Sequence, residues 1–469
     1  MDDHSRTASS STPASEGFRL HRRDGSPRSS GAGWFTARHA ATLVVLAMIG
    51  FSVAPLYNVL MHRPFNKDYD LWQWTGRVVR VGGEIYPADQ HLFPFMYPPS
   101  CAAMLAPIGG LSRLAFVAML LLLNAASWAL CILGSVFLAT GRVRGQRLEL
   151  SLLPSLAVIP FVNDMFLLGQ PALLLLALLL GAFACLRRGR PTAAGALVAI
   201  AAAIKAYPIL VAGYLIYRRQ WRATAALGVT LLALLFVLPL AFRPPAGVVD
   251  DFGRWTRGML FKYDQRTIGQ RPERAYSFKN QSIQATVHRL ARPVLANGED
   301  AHVWRVNLLS LSFRATTRLM LAAIAAVGLF TLWVMPRGRD RIPADDGLEQ
   351  GMVTILLLML APLSFNYSYV WLLFPLTLLG HLALAAPAGS APRRYAPAVI
   401  ALAVGLLALS IPMPKTAQAY GNVFFSGLVL WLGLGTALKL GWSRLLDAAP
   451  TVSRPTALAR DRAATQITS

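Results

Sequence analysis

Long apolar blocks, separated by short polar or basic stretches, run through residues 40–441 of the chain. Many blocks reach roughly 18 residues, the length at which an apolar helix can cross a bilayer. The alternating segments of roughly 10 residues that a membrane β-barrel needs are not found in this pattern. We therefore predict an all-α polytopic membrane protein with about 10–12 transmembrane or re-entrant helices. The apolar runs are residues 40–60, 114–139, 150–162, 165–186, 222–242, 315–336, 350–363, 370–387, 396–411 and 423–441, with a polar turn expected at Asn163-Asp164.

Short clusters of arginine lie between these runs and predict the orientation of the helices. Lysine and arginine collect beside the cytoplasmic ends of membrane spans, so we place every cluster on the cytoplasmic side. Both termini are then cytoplasmic, with a disordered tail at residues 1–39 and a second tail at residues 442–469. Two large outer loops result, at about residues 61–95 and 243–314. The clusters are Arg142/Arg144/Arg147, Arg187/Arg188/Arg190, Arg218/Arg219/Arg222, Arg337/Arg339/Arg341 and Arg393/Arg394.

Composition narrows the class of protein further. Of the 469 residues, 55% are hydrophobic and only 14% are charged, whereas about 25% are charged in soluble domains. This argues against a cytosolic enzyme, a nucleic-acid-binding protein or a disordered scaffold. The cytoplasmic clusters explain the net charge of +23 without a nucleic-acid partner. The three cysteines have no paired spacing, so we predict neither a disulfide framework nor a zinc site.

The apolar segment at residues 192–217 lies between two cytoplasmic clusters and must cross the membrane an even number of times. It is too short for two full spans of about 20 residues each, and Pro208 interrupts it. We predict two short or re-entrant helices with the break at Lys205–Pro208 buried in protein. Lys205 is a candidate for neutralising a phosphate, because an ionisable residue inside an apolar run is usually functional. The alternative is that its ammonium group reaches an interface.

The first outer loop carries a pair of carboxylates, Asp68 and Asp70, just beyond the end of a span. A partly desolvated carboxylate can take a proton from a hydroxyl, so this pair supplies a candidate general base. Alternatively, Asp68 caps the helix that follows. The spacing Asp68-Tyr69-Asp70 also matches the Asp-x-Asp pattern of soluble glycosyltransferases, but no α/β nucleotide-binding domain accompanies it. We therefore infer no metal.

The second outer loop is basic, with 11 Lys/Arg and 6 Asp/Glu over residues 243–305. An anionic partner at the outer face explains this excess, and so does attraction to anionic headgroups. Lys279, Arg274 and Arg289 flank Asn280 and are candidates for holding a phosphate by charge-assisted hydrogen bonds. The alternative is a solvated loop face.

A series of short motifs, each unspecific alone, occurs in a fixed order along the chain. In this order, the chain resembles glycosyltransferase family 87, whose members are polytopic enzymes of the GT-C class. The resemblance covers most of residues 40–440. The motifs are Asp68 with Gly82-Gly83 and Tyr86, Tyr97-Pro98-Pro99 with Ala106-Pro107, Gly169-Gln170, Arg188–Pro191, Lys205-Ala206-Tyr207-Pro208, Arg219–Arg222, and Asn280-Gln281-Ser282 with Arg289.

The resemblance implies a GT-C-like domain over residues 40–441 and a set of site residues within it. Counting back from Gly82 puts Asp68 on the catalytic base of the family, with Asp70 as the alternative. The residues implied to bind the donor phosphate or the substrate are Lys205, Tyr207, Lys279, Asn280, Gln281, Arg289, Gln170 and Tyr97. The chain departs from the family at Ala172, where an Asn is common, and at Tyr367 and Ser368, where a His pair is common.

The implied reaction moves a hexose, with mannose as the expected sugar, from a polyprenyl phosphate to an extracytoplasmic glycolipid or glycan. A single base implies inversion at the anomeric carbon, by analogy with glycoside hydrolysis. We expect a multi-pass protein of the plasma membrane with its site on the outer side, in contact with membrane lipids. No cofactor is expected, although a divalent cation stays open. The alternatives are a transporter or flippase and a polymerase or ligase of surface polysaccharide.

Overall fold

The computed structural model describes residues 37–86, 95–265, 267–268, 271–272, 275–297, 304–335 and 341–447. Most of the two predicted tails, residues 1–36 and 448–469, therefore lies outside the described residues. The domain boundaries stay a prediction.

The described chain is almost entirely helical. One hairpin of two-residue strands, β1 (Thr267–Ile268) and β2 (Arg271–Pro272), lies in the second outer loop. The helices are α1 (Ala37–Leu60), α2 (Lys67–Arg80), α3 (Pro99–Leu105), α4 (Arg113–Thr140), α5 (Glu149–Ala157), α6 (Ile159–Leu168), α7 (Ala172–Arg187), α8 (Pro191–Ile204), α9 (Val211–Tyr217), α10 (Trp221–Leu232), α11 (Pro245–Trp255), α12 (Ile283–Ala291), α13 (Phe313–Val334), α14 (Pro343–Leu360), α15 (Leu373–Ala385), α16 (Ala391–Ala408), α17 (Pro414–Ala419), α18 (Asn422–Lys439) and α19 (Ser443–Asp447).

Six helices of the described chain are long and apolar enough to cross a membrane. The pair α5 and α6 counts as a seventh if it forms one span, although its two halves are bent by 63°. The prediction of an all-α polytopic membrane protein is confirmed. The six helical segments are Arg38–Leu60, Arg113–Thr140, Trp221–Ala241, Phe313–Val334, Asn366–Ala385 and Asn422–Lys439.

The turn predicted at Asn163-Asp164 is wrong. Both residues lie inside α6, which begins after Val158 with a proline at one of its first positions and ends at Gly169. Gly169 has φ +75°, and a Cβ at this position would lie 3.0 Å from the ring of Tyr69. The chain therefore turns at Gly169. Glycine fits here because it adopts the left-handed conformation readily and has no Cβ to collide with Tyr69.

The break predicted within residues 192–217 is confirmed. Helix α8 ends at Ile204, Lys205 is extended, and a 3₁₀ turn over Tyr207–Leu210 leads into α9. Helix α8 is rich in alanine and packs closely on α10. A Cβ at Gly195 would lie 2.1 Å from the backbone oxygen of Ala223. Small residues let these two helices approach, as they do in other membrane bundles.

Several of the basic clusters meet at one end of the bundle. Arg187 at the end of α7 donates to the carbonyl oxygen of Leu138 at the end of α4 (2.7 Å). Arg218, which follows α9, and Arg341, which precedes α14, both pair with the buried Glu349 of α14. The ends of α4, α7 and α9 and the start of α14 thus lie together, in agreement with the predicted parity. At the core of the bundle, the fully buried Trp371 lies just before α15 and the fully buried Phe374 lies within it.

Candidate active site

A cavity with an empty volume of about 820 Å³ lies at the end of the bundle opposite the arginine clusters. Among the described residues that line it, Asp68 and Lys205 are the charged ones. The remaining polar lining consists of Gln170 and three tyrosines, Tyr97, Tyr207 and Tyr367. The apolar lining residues are Leu71, Met96, Pro98, Ala206, Trp255, Met259, Leu260, Ala361, Pro362, Leu363 and Phe365.

Asp68 lies in the first turn of α2 and faces this cavity. The N-cap of α2 is Asn66, so the alternative that Asp68 caps the helix is wrong. A carboxylate in a first helical turn is stabilised by the helix dipole. The side-chain amide of Gln170 donates to Oδ2 of Asp68, and the hydroxyl of Tyr97 donates to Oε1 of Gln170 at 3.0 Å.

Asp70 has a different environment and is not among the residues that line the cavity. Its two carboxylate oxygens accept hydrogen bonds from Nε and Nη2 of Arg113, at 2.9 and 2.7 Å. Oδ2 of Asp70 also accepts from the backbone N–H of Asn66 (2.6 Å). A bidentate ion pair of this kind is strong and directional. Asp70 therefore fastens α2 to the start of α4, and the geometry favours Asp68 over Asp70 as the base.

Lys205 lies at the break between α8 and the 3₁₀ turn, inside a cage of aromatic rings. Its Nζ is 5.8 Å from the ring centroid of Tyr97, 5.7 Å from that of Tyr207 and 5.8 Å from that of Tyr367. Such rings attract a cation through their electron-rich faces. The structure thus places the Lys205 ammonium group at the cavity and not at a distant interface.

Tyr207 is a candidate for direct contact with a substrate. Its ring lies 5.2 Å from that of Trp371, and the Trp371 indole N–H donates to the Ala172 backbone oxygen (2.8 Å). The Tyr207 hydroxyl is buried and has no hydrogen-bond partner within the part of the chain that the structure describes. A buried polar group without a partner is costly, so a ligand oxygen at the cavity would satisfy it.

The structure does not bring Asn280, Gln281 and Arg289 to the cavity. All three are fully buried, and their side chains donate hydrogen bonds to backbone carbonyl groups. The amide of Asn280 donates to Pro362 O (3.0 Å), and that of Gln281 donates to Gln418 O (2.7 Å). Arg289 donates to five carbonyl oxygens, and those of Ala419, Ser277 and Asn280 are nearest, at 2.6 to 2.9 Å. These residues stabilise the segment with Pro362 and Phe365, which lines one side of the cavity.

Lys279 is exposed, beside the ring of Phe278 (5.9 Å), and it interacts electrostatically with Asp164 of α6. It is not among the residues that line the cavity. Arg274 lies outside the described residues. The structure therefore separates the loop residues of the predicted site from Asp68, Tyr97, Gln170, Lys205 and Tyr207, which it brings together.

The second outer loop is fastened to the first through Arg243, which the sequence reasoning missed. Arg243 donates to the backbone oxygens of Gly82 (2.7 Å) and Gly83, and it pairs with Asp251 of α11 (3.2 Å). Nearby, the indole N–H of Trp255 donates to Met96 O (3.3 Å). These bonds explain how α11 closes one side of the cavity. An arginine just after an apolar run is the signal that could have pointed to this role.

Among the described residues, His, Cys, Asp and Glu form no group of three or more that could hold a metal ion. The chemistry that this chain itself supplies is a carboxylate, an ammonium group and phenolic hydroxyls around one cavity. Such a set can accept a proton and stabilise an anion. The expectation that no cofactor is needed stays a prediction, and the part of a divalent cation stays open.

The sequence pattern of glycosyltransferase family 87 matches residues 95–361. The chain is also similar to a polyprenol-phosphate-mannose-dependent alpha-(1-2)-phosphatidylinositol mannoside mannosyltransferase of Mycobacterium tuberculosis strain H37Rv. The two are 26% identical over 339 residues, which cover 68% of this chain and 71% of that protein. The family match begins after Asp68, so the role of that residue depends on the geometry above. It spans more than half of the chain, and the protein therefore belongs to glycosyltransferase family 87 and is a multi-pass membrane glycosyltransferase.

Proposed function

We propose that this protein is an inverting mannosyltransferase that uses a polyprenyl-phosphate mannose and has Asp68 as its general base. The observation that carries the proposal is the cavity, where Asp68 and Lys205 are the charged lining residues. Inverting transfer needs one group to accept a proton from the acceptor and another to stabilise the departing phosphate. This cavity offers one of each.

In the proposed step, an acceptor hydroxyl oxygen attacks the anomeric carbon as the bond from that carbon to the phosphate oxygen breaks. The hydroxyl proton passes to the carboxylate of Asp68. The electron pair of the broken bond stays on the polyprenyl phosphate, whose added negative charge lies next to the Lys205 ammonium group. The Tyr207 hydroxyl, buried and unpartnered within the described chain, donates to the phosphate. Attack opposite the leaving group inverts the anomeric configuration.

Lipid-linked substrates fit the surroundings of the cavity. A second, apolar cavity with an empty volume of about 960 Å³ shares Gln170 with the first. It is lined by Met119, Leu120 and Leu123 of α4 and by Leu174 of α7. We assign this space to the hydrocarbon tail of a substrate, because a tail gains stability when it leaves water for apolar side chains.

The mycobacterial relative supports the choice of donor and acceptor. Its name specifies polyprenol-phosphate mannose as donor and a phosphatidylinositol mannoside as acceptor. We propose the same donor and an extracytoplasmic glycolipid acceptor of this type for the present chain. We place the cavity at the outer face of the plasma membrane, opposite the end where Arg187, Arg218 and Arg341 meet.

A transfer assay with purified protein in lipid tests this proposal. The reaction contains radiolabelled polyprenyl-phosphate mannose and either a membrane lipid extract or a phosphatidylinositol mannoside. Wild type should move label into a new glycolipid, and Asp68→Asn should abolish the transfer while remaining folded. The matched control is Asp164→Asn, which removes a carboxylate from α6 and should retain transfer. Retained transfer by Asp68→Asn would overturn the assignment of the base, and an unchanged anomeric configuration in the product would overturn inversion.

A further inference from the structure

Gln170 lies between a tyrosine and the carboxylate of Asp68. It follows the left-handed residue Gly169, and its side chain is buried. The hydroxyl of Tyr97 donates to its Oε1 (3.0 Å), and its own amide N–H donates to Oδ2 of Asp68. An amide group can be turned either way, and the hydrogen bonds decide which. An ionised carboxylate can only accept hydrogen bonds, so the N–H group of Gln170 faces Asp68 and its oxygen is left to accept from the hydroxyl of Tyr97.

Tyr97 is itself held firmly. Its backbone oxygen accepts a hydrogen bond from the hydroxyl of Tyr86 (2.7 Å), and its ring packs on Trp72 with centroids 4.5 Å apart. Tyr97 and Trp72 are both at least 90% buried. The chain of hydrogen bonds from Tyr97 through Gln170 to Asp68 thus starts from a rigid group. Side chains fixed in this way hold a functional group in its productive geometry.

We propose that Gln170 is a positioning residue for Asp68, holding one carboxylate oxygen so that the other faces the acceptor hydroxyl. This rests on the proposed function of Asp68 as the base. A donated N–H also favours the ionised carboxylate, which is the form that can accept a proton. Gln170 therefore acts through Asp68 and not through a bond to the donor phosphate.

A pH profile can report on this role. Tyrosine and lysine titrate well above the range from pH 5 to 7, so the acidic limb of the profile in this range reports a carboxylate. Asp164→Asn removes the carboxylate of the neighbouring α6 and serves as the control. The titratable or charged groups that line the cavity with Asp68 and Gln170 are Lys205, Tyr97, Tyr207 and Tyr367. On the elements around them, Asp70 of α2 pairs with Arg113 and Asp164 of α6 interacts with Lys279.

The experiment measures kcat and KM against pH for wild type, Gln170→Met and Tyr97→Phe. Gln170→Met keeps an unbranched side chain and removes both hydrogen bonds. It should lower kcat about tenfold at pH 7, leave KM within about twofold, and move the acidic limb of the profile upward by about one pH unit. Tyr97→Phe should move the acidic limb in the same direction by a smaller amount, because the Gln170 amide remains but loses its hydrogen bond from Tyr97. Asp164→Asn should keep the wild-type profile.

A raised KM with an unmoved acidic limb in Gln170→Met would overturn the positioning role and make Gln170 a substrate contact. If Gln170→Met loses its folded state in a thermal scan, Tyr97→Phe decides alone, and an unmoved limb in that variant overturns the proposal. Asp68→Asn distinguishes failure of the proposed base from failure of the positioning role. If Asp68→Asn retains transfer, Asp68 is not the base. If Asp68→Asn loses transfer but the pH profile of Gln170→Met is unmoved, only the positioning role of Gln170 is overturned.

Discussion

Lys205→Met is the sharpest test of how the cavity handles a phosphate. Methionine is also unbranched and flexible, and it packs well against aromatic rings. It should therefore occupy the space among Tyr97, Tyr207 and Tyr367, whose ring centroids are 5.7 to 5.8 Å from the ammonium nitrogen. The change removes the one positive charge among the described residues that line the cavity, so the loss of charge should dominate its effect.

The size of the effect follows from the interaction of two charges. At about 4 Å and an effective dielectric constant of about 20, an ammonium group and one phosphate charge attract by about 4 kcal/mol. This corresponds to a decrease of about 10³-fold in kcat/KM. The bound donor already carries one negative charge and the departing phosphate gains a second. The loss should therefore appear partly as a higher KM and partly as a lower kcat.

Initial rates of mannose transfer over a range of donor concentrations measure both constants. The matched control is Lys279→Met, the same substitution at an exposed lysine of the second outer loop. We expect the control to stay within about threefold of wild type, because exposed charges contribute little. If Lys205→Met stays within tenfold of wild type, or if Lys279→Met is the more impaired variant, the phosphate does not lie beside Lys205 and the reasoning is refuted.

Three further predictions concern the two outer loops and a divalent cation. Asp70→Asn breaks the bidentate bond to Arg113. Because both side chains are about a quarter exposed, the free energy of unfolding should fall by about 1 kcal/mol. The thermal midpoint should therefore be lower, while the pH profile of transfer stays unchanged. Burial, and then the charge of Arg292, lowers the pKa of His288 to about 4, so the unfolded chain binds a proton below pH 6.5 that the folded loop does not. The thermal midpoint should therefore fall between pH 7 and pH 5, and His288→Gln should flatten that decrease; an equal slope in both proteins contradicts this. Transfer should survive EDTA, and activity lost to EDTA and restored by Mg²⁺ or Mn²⁺ would show that a divalent cation takes part.

Much of the fold follows from the sequence because membrane helices have a strong signal. The length of an apolar run and the position of arginine are enough to locate α1, α4 and α13. The break after Ile204 follows from Pro208 and from a lysine that has no place in a plain span. The turn predicted at Asn163-Asp164 was wrong. Two polar residues inside an apolar run resemble a turn, but here they lie within α6. The helix is ended instead by the left-handed backbone of Gly169.

The candidate site was predictable only in part. Asp68 and Lys205 carry local signals, a carboxylate just after a span and a cation within an apolar run. Nothing local separates Asp68 from Asp70, because the partner that occupies Asp70 is Arg113, 43 residues away in the chain. The order of motifs likewise suggests that Asn280 and Arg289 meet a substrate, but order carries no information about where a side chain points. Their buried bonds to backbone oxygens were accessible only from the structure.

The departure from the family at Tyr367 and Ser368 changes what the cavity can do with charge. A histidine at this position would add a second group able to carry a positive charge near neutral pH. Tyr367 instead presents its ring to the ammonium group of Lys205, and Ser368 has a buried hydroxyl with no partner among the described residues. Within the described part of the cavity, stabilisation of the departing phosphate then depends on the Lys205 ammonium group and on neutral hydroxyl donors such as Tyr207. No histidine is among the described residues that line the cavity, so transfer should show no loss between pH 6 and 8 of the kind that deprotonation of a histidine produces. Lys205→Met should therefore be more damaging here than in a cavity with a second cation, which would retain part of the attraction.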